Sequence, residues 1–209
     1  NQFEQFQNVL SLNQKSEKIF AFKPDTNYFV GQTPHGGYLM AMMHKALVSV
    51  LPHTAAINSN VLYLDRTDAD EVELHVEIFK LGKGTSSGQV KLIQQDRINC
   101  TFTAICSDLD KLDGFNDMPT PLPNTFHDFS ESEFVTMNYD NVQKGFTPSF
   151  IQQLNLTVHP EHSWWLQQDF DRSGEARCSG YIELDGGIPD QFALSYFSDI
   201  LPPVVTNKY

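Results

Sequence analysis

Gly31-Gln32-Thr33-Pro34-His35-Gly36-Gly37 leads without a break into Tyr38-Leu39-Met40-Ala41-Met42-Met43-His44-Lys45-Ala46-Leu47-Val48-Ser49-Val50, and this junction decides the fold. The first seven residues are turn chemistry, rich in Gly and Pro. After them Leu39, Met42, Met43, Ala46, Leu47 and Val50 recur at helical spacing, so the junction predicts a turn followed by a helix. Tyr38, Met40 and Ala41 make that helix apolar around more than one stripe, which predicts a buried helix wrapped by other elements.

Beyond the helix the chain is strand-like. Candidate strands run over residues 57–64, 72–80, 87–95 and 98–107, and in the second Val72, Leu74, Val76 and Ile78 alternate with Glu71, Glu73, His75 and Glu77. Gly82-Lys83-Gly84 and Asp96-Arg97 are short enough to close hairpins. An antiparallel sheet with one apolar face needs a cover, and the preceding helix is the available one. Cys100 and Cys106 fall on one face of the last strand and read as small buried hydrophobes.

The junction recurs. Phe29, Gly31, Pro34, Leu39, Met42 and Ala46 correspond to Leu184, Gly186, Pro189, Leu194, Phe197 and Leu201 at a constant offset of 155, which predicts an internal duplication. Between the copies, Ser107 to Glu133 carries seven acids against one Lys, with Pro119, Pro121 and Pro123, and reads as a surface connection. The expected organisation is a first unit over 1–108, an acidic proline-containing linker over 109–145 and a second unit over 146–209. By the offset, the strands of 57–107 have counterparts at roughly 212–262, so the second unit is expected to stop short after its helix.

The 209 residues carry 26 acidic and 14 basic side chains, a formal charge of -12, which leaves no basic footprint for nucleic acid. No run approaches the roughly 20 apolar residues of a membrane span. Three cysteines without a C-x-x-C pattern fit a reduced, cytoplasmic setting. His159-Pro160-Glu161-His162 reads as a loop rather than a metal site, and the adjacent Trp164 and Trp165 as packing groups. Gly84-Thr85-Ser86-Ser87-Gly88 has the G-x-S-x-G spacing but runs from a hairpin into a strand, not from a strand into a helix as a nucleophile elbow does, against a serine hydrolase.

His35-Gly36-Gly37, the strand Val61-Leu62-Tyr63-Leu64, the hairpin Gly82-Lys83-Gly84-Thr85-Ser86 and the closing Ala193-Leu194-Ser195-Tyr196-Phe197-Ser198-Asp199 with Leu201-Pro202-Pro203 resemble, in order and spacing, the double-hotdog acyl-CoA thioesterases of the thioesterase II type. The resemblance covers nearly the whole chain. It implies an α+β tandem hotdog, with an antiparallel sheet around a central helix in each half, an acyl-CoA substrate, no cofactor and no metal. It further implies pairing through hotdog interfaces into a homo-oligomer, and a catalytic carboxylate late in the second helix, where Asp199 stands. A hydroxyl residue and a Gln that assist that carboxylate in the family would lie on strands after Tyr209.

On chemistry, a carboxylate at the edge of the stripe formed by Ala193, Tyr196, Phe197, Ile200 and Leu201 is expected to be partly desolvated, which favours general-base work on a water. The amides of Gly36 and Gly37, with His35 before them, open a helix whose N–H groups are unpaired and suited to a developing oxyanion. The same glycines equally serve as a tight entry. His44 occupies in the first unit the place of Asp199 in the second, so the halves are expected to be chemically unequal. An imidazole there is either a helix-edge packing group or the base of a hydratase or dehydratase acting on acyl thioesters. Lys83 is a candidate contact for an anionic carrier. A non-catalytic acyl-binding module is the third reading.

Overall fold

The computed structural model describes residues 1–112, 114, 134–137, 148–163 and 176–207. Most of the expected 109–145 linker, and Trp164 and Trp165, lie outside the described residues. The chain opens with helix α1 (Gln2–Val9) and the strands β1 (Asn13–Ser16) and β2 (Ile19–Phe22). A 3-10 turn (Thr26–Tyr28) and the two-residue strands β3 (Phe29–Val30) and β4 (Thr33–Pro34) lead into α2 (Gly36–Val48). Four long strands come next: β5 (Ala55–Tyr63), β6 (Val72–Leu81), β7 (Thr85–Gln94) and β8 (Arg97–Ser107).

Among the described residues β1, β2 and these four strands form one antiparallel six-stranded sheet in the order β1-β2-β6-β7-β8-β5. The alternation read from the sequence sets its inner face. Val72, Leu74, Val76, Val90, Leu92, Cys100, Phe102, Ala104 and Cys106 are buried against α2. None of the 13 residues of α2 is exposed, because the sheet takes one side of the helix and the second unit the other. Burial pushes the Cys100 thiol up to about 11 and the Cys106 thiol upward as well, so both pack as neutral hydrophobes.

The hairpins differ slightly from their expected positions. Gln94 pairs with Arg97, so the β7–β8 turn is Gln95-Asp96, with φ of 54° and 59° at its two central residues, one place earlier than expected. Gly82 to Gly84 make the β6–β7 turn, closed by Gly82 N–H donating to Thr85 C=O at 2.9 Å. A bulge between Ile78 and Lys80 ends the clean alternation of β6, and Phe79 and Leu81 beyond it face solvent.

The second unit contains β9 (Val135–Thr136), a 3-10 turn (Ser149–Gln153), β10 (Asn155–Val158) and β11 (Gly180–Glu183), with β10 paired between the other two strands. Helix α3 (Gln191–Phe197) comes after the turn at Gly186. The offset of 155 holds in the backbone: Gly31 has φ +61° and Gly186 φ +90°, and α2 and α3 start at residues 36 and 191. Only residues without a Cβ penalty take that left-handed turn readily. Each helix is capped from the preceding side chain, α2 by His35 Nδ1 on Tyr38 N–H and α3 by Asp190 Oδ1 on Phe192 and Ala193 N–H. α3 ends six positions earlier in register than α2. Ser198 Oγ bonds back to Ser195 C=O at 2.7 Å and Leu201 is followed by two prolines, so the chain turns off and Asp199 lies just after the helix rather than late within it.

The two units exchange their leading segments. α1 of the first lies on the second, with Phe6 stacked on Tyr196 at 5.1 Å, Phe3 N–H bonded to Asp185 C=O at 3.0 Å and Gln7 Nε2 donating to Asp190 Oδ2 at 2.8 Å. The 3-10 turn of the second lies on the first, with Phe150 4.4 Å from the His35 ring. One core therefore runs through both halves, from Phe6, Tyr28 and Tyr38 to Phe150, Leu156 and Tyr196. Phe6 is fully buried at this seam, so Phe6→Ala should cost about 3–5 kcal/mol in urea denaturation, and a loss below about 1 kcal/mol would show that α1 is not docked there.

Candidate active site

The first turn of α2 meets the chain just after α3 at four residues. Gly37 N–H donates to Asp199 Oδ2 at 3.2 Å, and His35 Nε2–H donates to the Asp199 backbone C=O at 2.9 Å. The imidazole thus bridges two segments, its Nδ1 capping α2 and its Nε2 holding the turn that carries Asp199. His35 is 3% exposed, and burial lowers its pKa despite the Asp199 charge 3.7 Å away. It is a neutral Nε2–H tautomer fixed by its two partners, and this pair is a hydrogen-bonded contact rather than a salt bridge.

This approach requires glycine. A Cβ on residue 37 would run into the Tyr196 carbonyl oxygen, and one on residue 36 would lie 2.5 Å from Asp199 Oδ2 and 2.9 Å from the Tyr63 hydroxyl. The absence of side chains lets the positive end of the α2 dipole face the carboxylate directly. The Asp199 side chain is 54% exposed, so its position comes from the helix-start hydrogen bond and not from the desolvation expected of its apolar stripe. Of the two candidate oxyanion amides, Gly37 N–H is already committed to Asp199. Gly36, as the first residue of α2, keeps an N–H without an intrahelical acceptor.

His35, Gly36, Gly37 and Asp199 are brought together; His44 and Lys83 are not part of this group. His44 is 3% exposed at the α2–α3 contact, its Nδ1 2.9 Å from Ser195 Oγ and its ring 5.1 Å from Phe192 and 5.6 Å from Phe102. Burial lowers its pKa to about 4. Lys83 sits in the exposed β6–β7 turn, where its carbonyl oxygen is 3.4 Å from His53 Nε2. Tyr63, whose hydroxyl shares the point above Gly36 with Asp199, reads in the sequence only as a strand residue. His159 precedes and His162 ends a 3-10 turn, their rings 4.8 Å apart, and no group of three metal-ligating side chains exists among the described residues.

The duplication explains why the two places differ. Under the offset, Gly36, Gly37 and Asp199 correspond to Gln191, Phe192 and His44. The second place is filled: the Phe192 ring lies against His44, and Phe192 N–H is taken by Asp190 at 3.0 Å. Gln191 ties the start of β5, accepting from Ala56 N–H at 3.3 Å and donating to Thr54 C=O at 2.7 Å. Glycines leave an open cradle at one helix start, and a glutamine with a phenylalanine close the other.

Residues 24–107 match the family model for the acyl-CoA thioesterase N-terminal domain. No curated protein sequence matches the chain. Among solved structures, a putative thioesterase II from Thermobifida fusca is similar with a TM-score of 0.79 at 20% identity, over 97% of this chain and 75% of that one. A protein with a hot dog fold from Alicyclobacillus acidocaldarius gives 0.76 at 15%, over 98% and 72%. An acyl-CoA thioesterase II from Mycobacterium marinum gives 0.58 at 17%, over 94% and 67%. At these identities the structures speak for the fold.

The two glycines should respond differently to a methyl group. Gly37→Ala should destabilise by about 1–3 kcal/mol, because its methyl meets backbone. Gly36→Ala meets two side-chain ends and should leave the melting temperature nearly unchanged while displacing Asp199 and Tyr63; equal thermal losses in the two variants would contradict this. For His44, the folded pKa near 4 lies below the unfolded 6.5, so the unfolded chain takes up a proton that the fold refuses. Its contribution is intact above pH 6.5 and falls by about 3 kcal/mol as pH drops toward 4. NMR should show the His44 ring still neutral at pH 6.5 and below, and a midpoint at 6.5 would refute the assignment. Residues 24–107 thus match the acyl-CoA thioesterase N-terminal domain family, and the chain as a whole has the α+β double-hotdog fold.

Proposed function

We propose that this chain hydrolyses an acyl-CoA thioester, with Asp199 as the base that deprotonates the attacking water. The observation that carries the reading is the Asp199 carboxylate, held at the N-terminus of α2 by Gly37 N–H and half open to solvent. A carboxylate fixed by one oxygen keeps its remaining lone pairs for a water, and its orientation is set before substrate arrives.

The steps balance without a cofactor. Asp199 takes a proton from water as the oxygen attacks the thioester carbon, and the carbonyl oxygen gains the electron pair. The tetrahedral species then collapses, the C–S bond breaks, and the proton on Asp199 passes to the departing thiolate. The products are a carboxylic acid and free CoA thiol. Gly36 N–H points from the helix start toward the developing oxyanion, and His35 keeps the Asp199 turn in place. A net charge of -12 gives no long-range attraction for the anionic carrier, so recognition rests on local groups, among them Lys83 in its exposed turn. Among the described residues no helix is long and apolar enough to cross a membrane. We assign the protein to the cytoplasm, as its cysteine usage suggests.

Asp199→Asn in the complete protein, assayed by free-thiol release over acetyl-, hexanoyl- and dodecanoyl-CoA, should lower kcat by roughly 100- to 10,000-fold while binding persists. Undiminished hydrolysis would refute the role of Asp199, and absence of hydrolysis in the unaltered protein would favour an acyl-binding module.

A further inference from the structure

We propose that Tyr63 is a catalytic residue of this site, its phenolic O–H donating to the thioester oxygen beside Gly36 N–H. The inference rests on the thioesterase reading and adds the donor that reading lacks. Gly37 N–H, the second helix-start amide, is spent on Asp199, and the His35 Nε2–H is spent on the Asp199 carbonyl oxygen. A lone amide is a weak oxyanion site, since each donor aimed at the developing charge contributes separately.

Tyr63 stands where a second donor is required. Its hydroxyl and Asp199 Oδ2 converge above Gly36, 2.9 Å and 2.5 Å from where a Cβ would be. No hydrogen bond among the described residues engages that hydroxyl. Tyr63 is 48% exposed, and partial desolvation, then the Asp199 charge, push its phenol above its ordinary range, so it stays protonated and keeps an O–H to donate. Base and donor are thereby separated between two groups on one small site.

The strand end that carries Tyr63 is fixed. Tyr63 pairs with Cys100 across β5 and β8, and the next two amides, Leu64 and Asp65 N–H, both donate to Asn99 C=O at 2.8 and 3.0 Å. Asn99 is 1% exposed and its Nδ2 donates to Arg66 C=O. A donor on a locked strand end needs no reorganisation when charge appears, which is where electrostatic stabilisation gains most. Glycine at 36 serves both groups, because any side chain there would push carboxylate and phenol apart.

The test is Tyr63→Phe in the complete protein, which removes one oxygen and keeps the ring. Hydrolysis of hexanoyl-CoA should lose roughly 100-fold or more in kcat with little change in KM. The carbonyl stretch of the ketone analogue of hexanoyl-CoA, with CH2 in place of sulfur, should shift to lower frequency when bound to the native protein. That shift should shrink in Tyr63→Phe and persist in Asp199→Asn. An unchanged kcat overturns the proposal, and so does a lowered kcat with an unmoved carbonyl stretch, which would mark a packing role. If Tyr63→Phe is fully active while Asp199→Asn is not, the Tyr63 role fails and the thioesterase reading stands. Full activity in both variants removes both.

Discussion

The first turn of α2 lies so close to the end of α3 that the Tyr196 carbonyl occupies the space where residue 37 would carry a Cβ. Other features of the site depend on that approach. It sets Gly37 N–H within reach of Asp199, lets one neutral imidazole tie the α2 cap to the Asp199 turn, and leaves above the bare Gly36 the point where carboxylate and phenol converge. The aromatic seam of Phe6, Tyr28, Tyr38 and Tyr196 lies behind the contact, with ring centroids 5.0 to 6.2 Å apart, and backs it with packing that a polar site could not supply itself.

The duplication supplies two helix starts, and side-chain size decides which is a site. At Gly36-Gly37 the backbone is bare and faces an acid; at Gln191-Phe192 the equivalent ground is filled and faces a buried, neutral His44. The closed start contributes structure instead. His44 and Ser195 link the two helices, and Gln191 fastens the beginning of β5, the strand whose far end carries Tyr63. The filled half thus holds the frame in which the other half is ordered.

Much of this was legible in the sequence because it is written in periodicity. The stripe from Leu39 to Val50 marks α2, the alternation from Val72 to Val76 marks the inner sheet face, and the recurrence of Gly31 and Pro34 at Gly186 and Pro189 marks the second turn with its left-handed glycine. The first 22 residues were not legible. α1 is Gln-Phe-Glu-Gln-Phe-Gln-Asn-Val, too short and polar for the spacing of Phe3, Phe6 and Val9 to stand out, and β1 is exposed at all four positions and so carries no alternation. In the site, Asp199 and the glycines could be located from their pattern, but the tie of Gly37 N–H to Asp199 could not, since it depends on contact across 162 residues. Tyr63 was hidden for the same reason: in a strand motif it reads as packing, and only the proximity of Gly36 and Asp199 gives its hydroxyl a task.

The proposed chemistry rests on one contact, the Asp199 carboxylate held at the start of α2 by the Gly37 amide. The amide proton of Gly37, compared by NMR between the native protein and Asp199→Ala, reports that bond directly, because a hydrogen-bonded amide lies downfield and exchanges slowly with solvent. An upfield move and faster exchange of Gly37 N–H in Asp199→Ala is the expected result. A Gly37 signal unchanged in position and exchange rate would contradict it.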